Sequence, residues 1–195
     1  MIIKPYFLWS GALLDQICDI LVEEGLKRPQ LDAGTGQKNK KSLGRSTTVS
    51  FINLDDVNSI IKTYVDNANE YYKVLIDDWE HVQFATYKEG DFYGWHRDYG
   101  KGCSKNRKLS VSVQLSNSIS YTGGDLVFKR EGWDANGTPV EEEILLGESA
   151  RKRGSIIVFP SNLLHKITPV ESGVRHSLVQ WYSGPKDERT EGDNK

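Results

Sequence analysis

Residues 154–181 read GSIIVFPSNLLHKITPVESGVRHSLVQW, and the punctuation of this stretch decides the fold. GSIIVFP, LHKITPV and RHSLVQW are rich in β-branched and apolar residues, too short for ordinary helices, and separated by Pro, Ser, Asn and Gly. They read as strands joined by turns. The same character extends upstream through HVQFATY from His81, KLSVSVQLS from Lys108, GDLVFKR from Gly124 and EEEILL from Glu141. Some seven short strands with turns between them predict a mainly β protein, either an antiparallel barrel or a double-sheet jelly roll.

Further upstream the period changes. In SGALLDQICDILVEEGL, residues Leu13, Leu14, Ile17, Ile20 and Leu21 recur at helical intervals behind Ser10, which is placed to cap the helix. DDVNSIIKTYVDNANEYYKVLI repeats the pattern with Val57, Ile60, Ile61, Tyr64 and Ala68. These flanking N-terminal helices are expected to pack outside the β core. Between them, after Lys27, the basic and glycine-punctuated KRPQLDAGTGQKNKKSLGR runs to Arg45 without apolar periodicity. It reads equally as a lid over an acidic or extended peptide and as a solvated loop. One domain is expected over residues 1–185, with helical support at 10–76 and the β core at about 80–183. The tail KDERTEGDNK (186–195) has no apolar residue and is expected to be disordered.

The chain has 195 residues, 37% of them hydrophobic and 27% charged, with a formal net charge of -2. That is enough chain for a substantial core without metal or disulfide staples, and the charge balance gives no reason to expect nucleic acid as a partner. Cys18 and Cys103 fall in a helix and a Gly/Lys-rich loop, and MIIKPYFLW has a proline and a lysine where a secretory segment is apolar. No window reaches the length of a membrane span. A reduced, cytoplasmic protein without membrane partners is expected.

The chemistry concentrates around YGWHRDYG, residues 93–100. In extended chain His96 and Asp98, two apart, point to the same side and could share one ion; alone they are as readily a polar turn. A barrel brings distant strands together, and His165, at the edge of two β-patterned runs, is the candidate third ligand. Two histidines and one carboxylate suit non-heme Fe(II) and leave coordination positions open. Ten residues after His165 lies Arg175. Inside a β core its guanidinium needs a carboxylate, and its fork fits that of an anionic cosubstrate; otherwise it is a surface arginine paired with Glu171. His176 and His81 read as non-ligands. Tyr93, Trp95, Tyr99 and Trp181 read as pocket walls or core, Arg97 as pointing away from the metal, and Gly123-Gly124 as a backbone requirement at a turn.

Three segments together, YKEGDFYGWHRD, SVSVQLSNSISYTGGDLVF and GSIIVFPSNLLHKITPVESGVRHSLVQW, resemble the prolyl 4-hydroxylase-like 2-oxoglutarate/Fe(II)-dependent dioxygenases, in order from about Val82 to Tyr182. The VSVQLS strand is most similar to the bacterial and viral PKHD-type hydroxylases. The resemblance implies a double-stranded β-helix, that is, a jelly-roll or cupin-like core. It implies Fe(II) on His96, Asp98 and His165, and 2-oxoglutarate with its 5-carboxylate on Arg175. Tyr87 is implied as a further cosubstrate contact. Gln114 stands where animal relatives often carry a tyrosine, so an amide contact would replace a hydroxyl one. Dioxygen is the oxidant and ascorbate a supporting reductant. The implied reaction couples oxidative decarboxylation of 2-oxoglutarate, giving succinate and carbon dioxide, to hydroxylation of a C–H bond, with a prolyl residue in a peptide or protein as substrate.

Two other readings suit the same residues. A zinc hydrolase could use the His-Asp-His set to activate water, though it offers Arg175 no role. A non-catalytic jelly-roll module could bind sugar or peptide on its aromatics.

Overall fold

The computed structural model describes residues 4–33, 44–100, 104, 106–133 and 137–185. The centre of the basic stretch read as either a lid or a solvated loop (34–43), Cys103 and the tail 186–195 lie outside the described residues.

The N-terminal part contains strand β1 (Phe7–Trp9), helix α1 (Asp15–Lys27), short strands β2 (Leu31–Asp32) and β3 (Arg45–Ser46), strand β4 (Thr48–Ile52) and helix α2 (Asp55–Tyr72). The β-rich part follows with β5 (Asp78–Trp79), β6 (Val82–Tyr87), β7 (Phe92–His96), β8 (Arg107–Gln114), β9 (Tyr121–Gly123), β10 (Leu126–Trp133) and β11 (Pro139–Leu145). A short helix α3 (Glu148–Arg151) precedes β12 (Ile156–Pro160), β13 (Leu164–Ile167), β14 (Val170–Gly173) and β15 (Arg175–Ser183). The larger sheet has the order β1-β12-β8-β15-β6-β4-β2 with β5 beside β15, the smaller one β11-β10-β13-β7-β3, and β9 pairs with β14. The pairing is antiparallel throughout. This is the jelly roll.

Alternation along the large sheet decides what meets what. Leu109, Val111 and Val113 of β8, Val82 and Phe84 of β6, and Leu178 of β15 face outward into one core with Cys18 and Leu21 of α1 and Val57, Ile61, Val65 and Ala68 of α2. The intervening inward residues include six buried polar ones, Ser110, Ser112, Gln114, Gln83, Arg175 and Ser177. Such polar inward positions enclose a site, flanked by two smaller apolar clusters, Val49, Ala85, Tyr87, Ile167 and Val170 on one side and Phe128, Ile157 and Phe159 on the other. The helices pack outside, as the sequence predicts, and α1 approaches β6 so closely that a Cβ on Gly25 would lie 2.3 Å from Cγ of Phe84.

Several details differ from the sequence reading. Ser10 caps nothing: α1 begins at Asp15, Leu14 occupies the cap position without a side-chain bond, and the carboxylate of Asp15 faces the helix dipole. Leu14 and Ile20 are 70% and 51% exposed, while Cys18, Leu21 and Gly25 face the sheet. The backbone bond from Leu13 N–H to Gly154 O, 3.0 Å, fixes where the helix starts and therefore which face turns inward. On α2, Val65 rather than Ile60 completes the buried face. LHKITPV is two strands, not one, because Pro169 has no N–H for a ladder. Gly123 and Gly124 both have positive φ, 66° and 63°, and a Cβ on Gly123 would sit 2.1 Å from Pro169 O, so their reading as a backbone requirement holds. Among the described residues no helix is long and apolar enough to cross a membrane.

Candidate active site

Strands β7 and β13 lie side by side with His96 opposite His165. Two residues toward the other end of the pair, Ile167 is opposite Tyr93, so β7 carries one extra residue there. This bulge is why Tyr93 and His96, three apart, share the inner face, and their rings stack with centroids 3.4 Å apart. Trp95, next to the inward His96, faces outward by alternation, between the ammonium groups of Lys129 and Lys166 at 4.8 and 4.3 Å from its ring.

Each histidine is oriented in the same way. Nδ1 of His96 is 2.8 Å from Gly94 O and Nδ1 of His165 is 2.8 Å from Leu163 O. A carbonyl only accepts, so both Nδ1 atoms carry the hydrogen and both Nε2 atoms present lone pairs. Those lone pairs converge on Asp98, with His96 Nε2 3.7 Å from Oδ1 and His165 Nε2 3.5 Å from Oδ2. One potential ligand atom from each of the three residues falls within 4.8 Å of the others. Three electron-pair donors with no hydrogen between them repel one another unless a cation joins them. The donor set therefore fits a divalent metal of the Fe(II) type.

Ionisation supports the same geometry. Burial, reinforced by the neighbouring His165, pushes His96 down to about 4, so its ring is neutral near pH 7. Burial alone would raise the Asp98 carboxyl, but positive charge on His165 and His96 when these are protonated, with the Trp181 indole and the Ser110 hydroxyl, outweighs it and holds Asp98 below its ordinary value; with both rings neutral, a metal cation between the three residues would supply that positive charge instead. Ser110 Oγ donates to Asp98 Oδ2 at 2.7 Å and lies 2.9 Å from Ser161 Oγ. The Trp181 N–H is buried near the carboxylate yet outside hydrogen-bond geometry, and has no partner among the described residues.

The triad opens into a cavity of about 360 Å³ that also contains Arg175, Tyr87, Tyr93, Phe51 and Trp181. Arg175 is only 4% exposed. Its Nη1 donates to Ser177 Oγ at 3.0 Å, and its guanidinium lies 5.4 Å from the ring centre of Tyr87, its register partner on β6. Among the described residues no carboxylate pairs with it, so the Glu171 alternative does not occur. A buried cation in that position calls for an anionic ligand. Gln114 lies instead on an adjoining smaller cavity, its amide nitrogen 2.9 Å from the Tyr121 hydroxyl and 3.3 Å from Ser116 O.

The remaining residues singled out from the sequence fall elsewhere. Arg97 turns away to Glu131 and the carbonyl of Asn162. Tyr99, 38% exposed, is not core. His176 points to the opposite face, stacked on Phe84 with its Nδ1 3.1 Å from Thr86 Oγ1, and His81 is exposed. Sequence reasoning missed Ser110, Ser161 and Tyr121. The strict alternation of serine with valine in SVSV was the available signal for the first, since small polar residues at every second position of a buried strand mark an enclosed polar face.

The jelly roll, the His-Asp-His cluster and the buried arginine define a metal-dependent oxygenase. Residues 82–183 match the family model of the 2OG-Fe(II) oxygenase superfamily, and the chain belongs to that family, whose cofactors are Fe(II) and 2-oxoglutarate. Among curated relatives it is 35% identical over 92 residues to a PKHD-type hydroxylase of Synechococcus sp. (strain CC9605), a match covering 47% of this chain and 36% of that protein. The chain thus spans little more than a third of the relative's length. Among solved structures it is similar to a Pseudomonas putida prolyl-4-hydroxylase, with a TM-score of 0.68, 20% identity and 93% of both chains covered. It is also similar to a prolyl hydroxylase from Trichoplax adhaerens solved with a hypoxia inducible factor peptide fragment, with a TM-score of 0.65, 15% identity, and 92% of this chain and 83% of that one covered.

Proposed function

We propose that the protein is a 2-oxoglutarate- and Fe(II)-dependent hydroxylase acting on a prolyl residue of a peptide or protein. The observation that carries this reading is the placement of a buried Arg175, without a carboxylate partner among the described residues, in the same cavity as the three converging ligands. A zinc hydrolase has no use for that arginine, and a binding module has no use for the convergence.

Fe(II) and 2-oxoglutarate, when bound, supply oxidising power that no side chain possesses. The chain's own residues bind, orient and exclude water. His96 and His165 hold the metal through Nε2 and Asp98 through its carboxylate, with Ser110 fixing the carboxylate's rotation. Arg175 anchors the distal carboxylate of the cosubstrate and Tyr87 packs beside it. Tyr93 and Phe159 wall the two imidazoles, with Phe159 edge-on to His165 at 4.9 Å between ring centres. Phe51, 49% exposed and lining the cavity, offers an apolar surface to an entering substrate ring. A peptide substrate is supported by the names of the relatives and by the peptide in the Trichoplax adhaerens structure.

Anaerobic addition of Fe(II) and 2-oxoglutarate is expected to give a weak visible charge-transfer band that is lost in His165→Ala. Prolyl peptides in air should then gain 16 mass units with stoichiometric succinate. Absence of the band in folded protein refutes the cofactor assignment; succinate formation with no prolyl product refutes the substrate assignment alone.

A further inference from the structure

The smaller cavity, about 210 Å³, shares Ser112, Leu126 and Arg175 with the larger one. Its polar lining includes one group whose hydrogen-bonding capacity is incompletely used. Tyr121 is only 3% exposed, and its hydroxyl is 2.9 Å from Gln114 Nε2, which also lies 3.3 Å from Ser116 O. Because the Ser116 carbonyl can only accept, the amide nitrogen faces it and the Tyr121 oxygen is the acceptor from Gln114. The phenolic hydrogen then has no acceptor among the described residues, and a buried donor left in this way is costly.

The surroundings narrow what it waits for. The Arg151 guanidinium lies 4.5 Å from the Tyr121 ring centre but is committed to Asp125 and to the carbonyls of Gly123 and Tyr121. It positions the phenol rather than offering a free charge. Arg175, bonded to the neutral Ser177 Oγ and without a carboxylate partner among the described residues, is adjacent: the Cβ position of Gly124 lies 3.0 Å from Arg175 Cδ and 3.4 Å from Tyr121 Cε2. An unspent O–H and an unpaired guanidinium thus face one wall. A carboxylate satisfies both, one oxygen on the fork and one on the phenol.

We propose that Tyr121 is a cosubstrate-binding residue, whose O–H joins Arg175 in holding the distal carboxylate of 2-oxoglutarate at the wall between the two cavities. Gln114 is then a positioning residue that acts through Tyr121. The proposal rests on Arg175 being the distal anchor.

Calorimetric titration of Mn(II)-loaded protein separates the two assignments. The ligands are 2-oxoglutarate and 2-oxovalerate, which has the same chain length and the same chelating end but terminates in a methyl group. Tyr121→Phe is expected to weaken 2-oxoglutarate about tenfold, the worth of a charge-assisted hydrogen bond, and to leave 2-oxovalerate unchanged. Equal weakening of both ligands, or no weakening of 2-oxoglutarate, overturns the role of Tyr121. If wild-type protein prefers 2-oxoglutarate and Arg175→Met abolishes the preference while Tyr121→Phe does not, only the Tyr121 proposal fails. If wild type shows no preference at all, the Arg175 anchor fails and the Tyr121 proposal with it.

Discussion

Replacing Arg175 by methionine is expected to stabilise the cosubstrate-free protein while removing its response to 2-oxoglutarate. Arg175 is 4% exposed and its one polar bond is to a neutral serine, Ser177. Burying an ion without a counter-charge costs several kcal/mol after relaxation. Cavity water and the Ser177 bond offset part of that, leaving about 2 kcal/mol for methionine, of similar length, to recover. In a protein of this size each kcal/mol moves Tm by about 2–4 °C, so the variant should melt about 4–8 °C higher without ligand. With 2-oxoglutarate at a hundred times its Kd, the metal-loaded wild type should gain about 2.7 kcal/mol by linkage and the variant close to none. Differential scanning calorimetry with and without 2-oxoglutarate measures both effects. A variant that melts lower than wild type in the absence of ligand, or that keeps the ligand-induced rise, refutes the argument that Arg175 is an unpaired charge awaiting a carboxylate.

Three further outcomes follow from the packing. Ser110→Ala frees the Asp98 carboxylate to rotate and leaves Ser161 without its buried partner; metal affinity should fall about 10–100-fold, read by Mn(II) titration in an electron paramagnetic resonance spectrometer, and unchanged affinity counts against the hydroxyl's orienting role. Gly25→Ala puts a Cβ 2.3 Å from Cγ of the fully buried Phe84. The strain of lifting α1 exceeds the gain in helix propensity, giving a loss of about 2 kcal/mol in urea unfolding. His176 is pushed down to about 4 by burial and by Arg175 beside it. Its ordinary value is near 6.5, so the unfolded chain binds the proton first, and stability present above pH 6.5 is lost as pH falls from there toward 4. His176→Gln should flatten the wild-type slope in that window, and an identical slope in the variant would refute the assignment.

How much of this was legible beforehand depends on the range of the interaction responsible. The strands of the β core announce themselves because side-chain alternation and turn residues are local properties. Helix α1 was legible in type but not in phase. Its start is set by a bond to Gly154, more than a hundred residues away, so Leu14 and Ile20 turned outward although their spacing was correct. At the site, His96, Asp98, His165 and Arg175 could be named individually, since their chemistry has few other uses in that order along the chain. Their convergence, and the absence of a carboxylate beside Arg175 among the described residues, could not.

The sequence by itself determined the alternation that makes one face of β8 polar, the turns that keep the strands short, and the residue types able to hold a metal and an anion. These follow from covalent periodicity and side-chain chemistry, which act over a few residues. Only the tertiary structure decided that a bulge in β7 would place Tyr93 beside His96. It also decided that Ser110 and Ser161 would meet behind Asp98, and that Gln114 would turn to Tyr121. Those outcomes depend on the register between strands distant in sequence, where a shift of one residue exchanges the inner and outer faces.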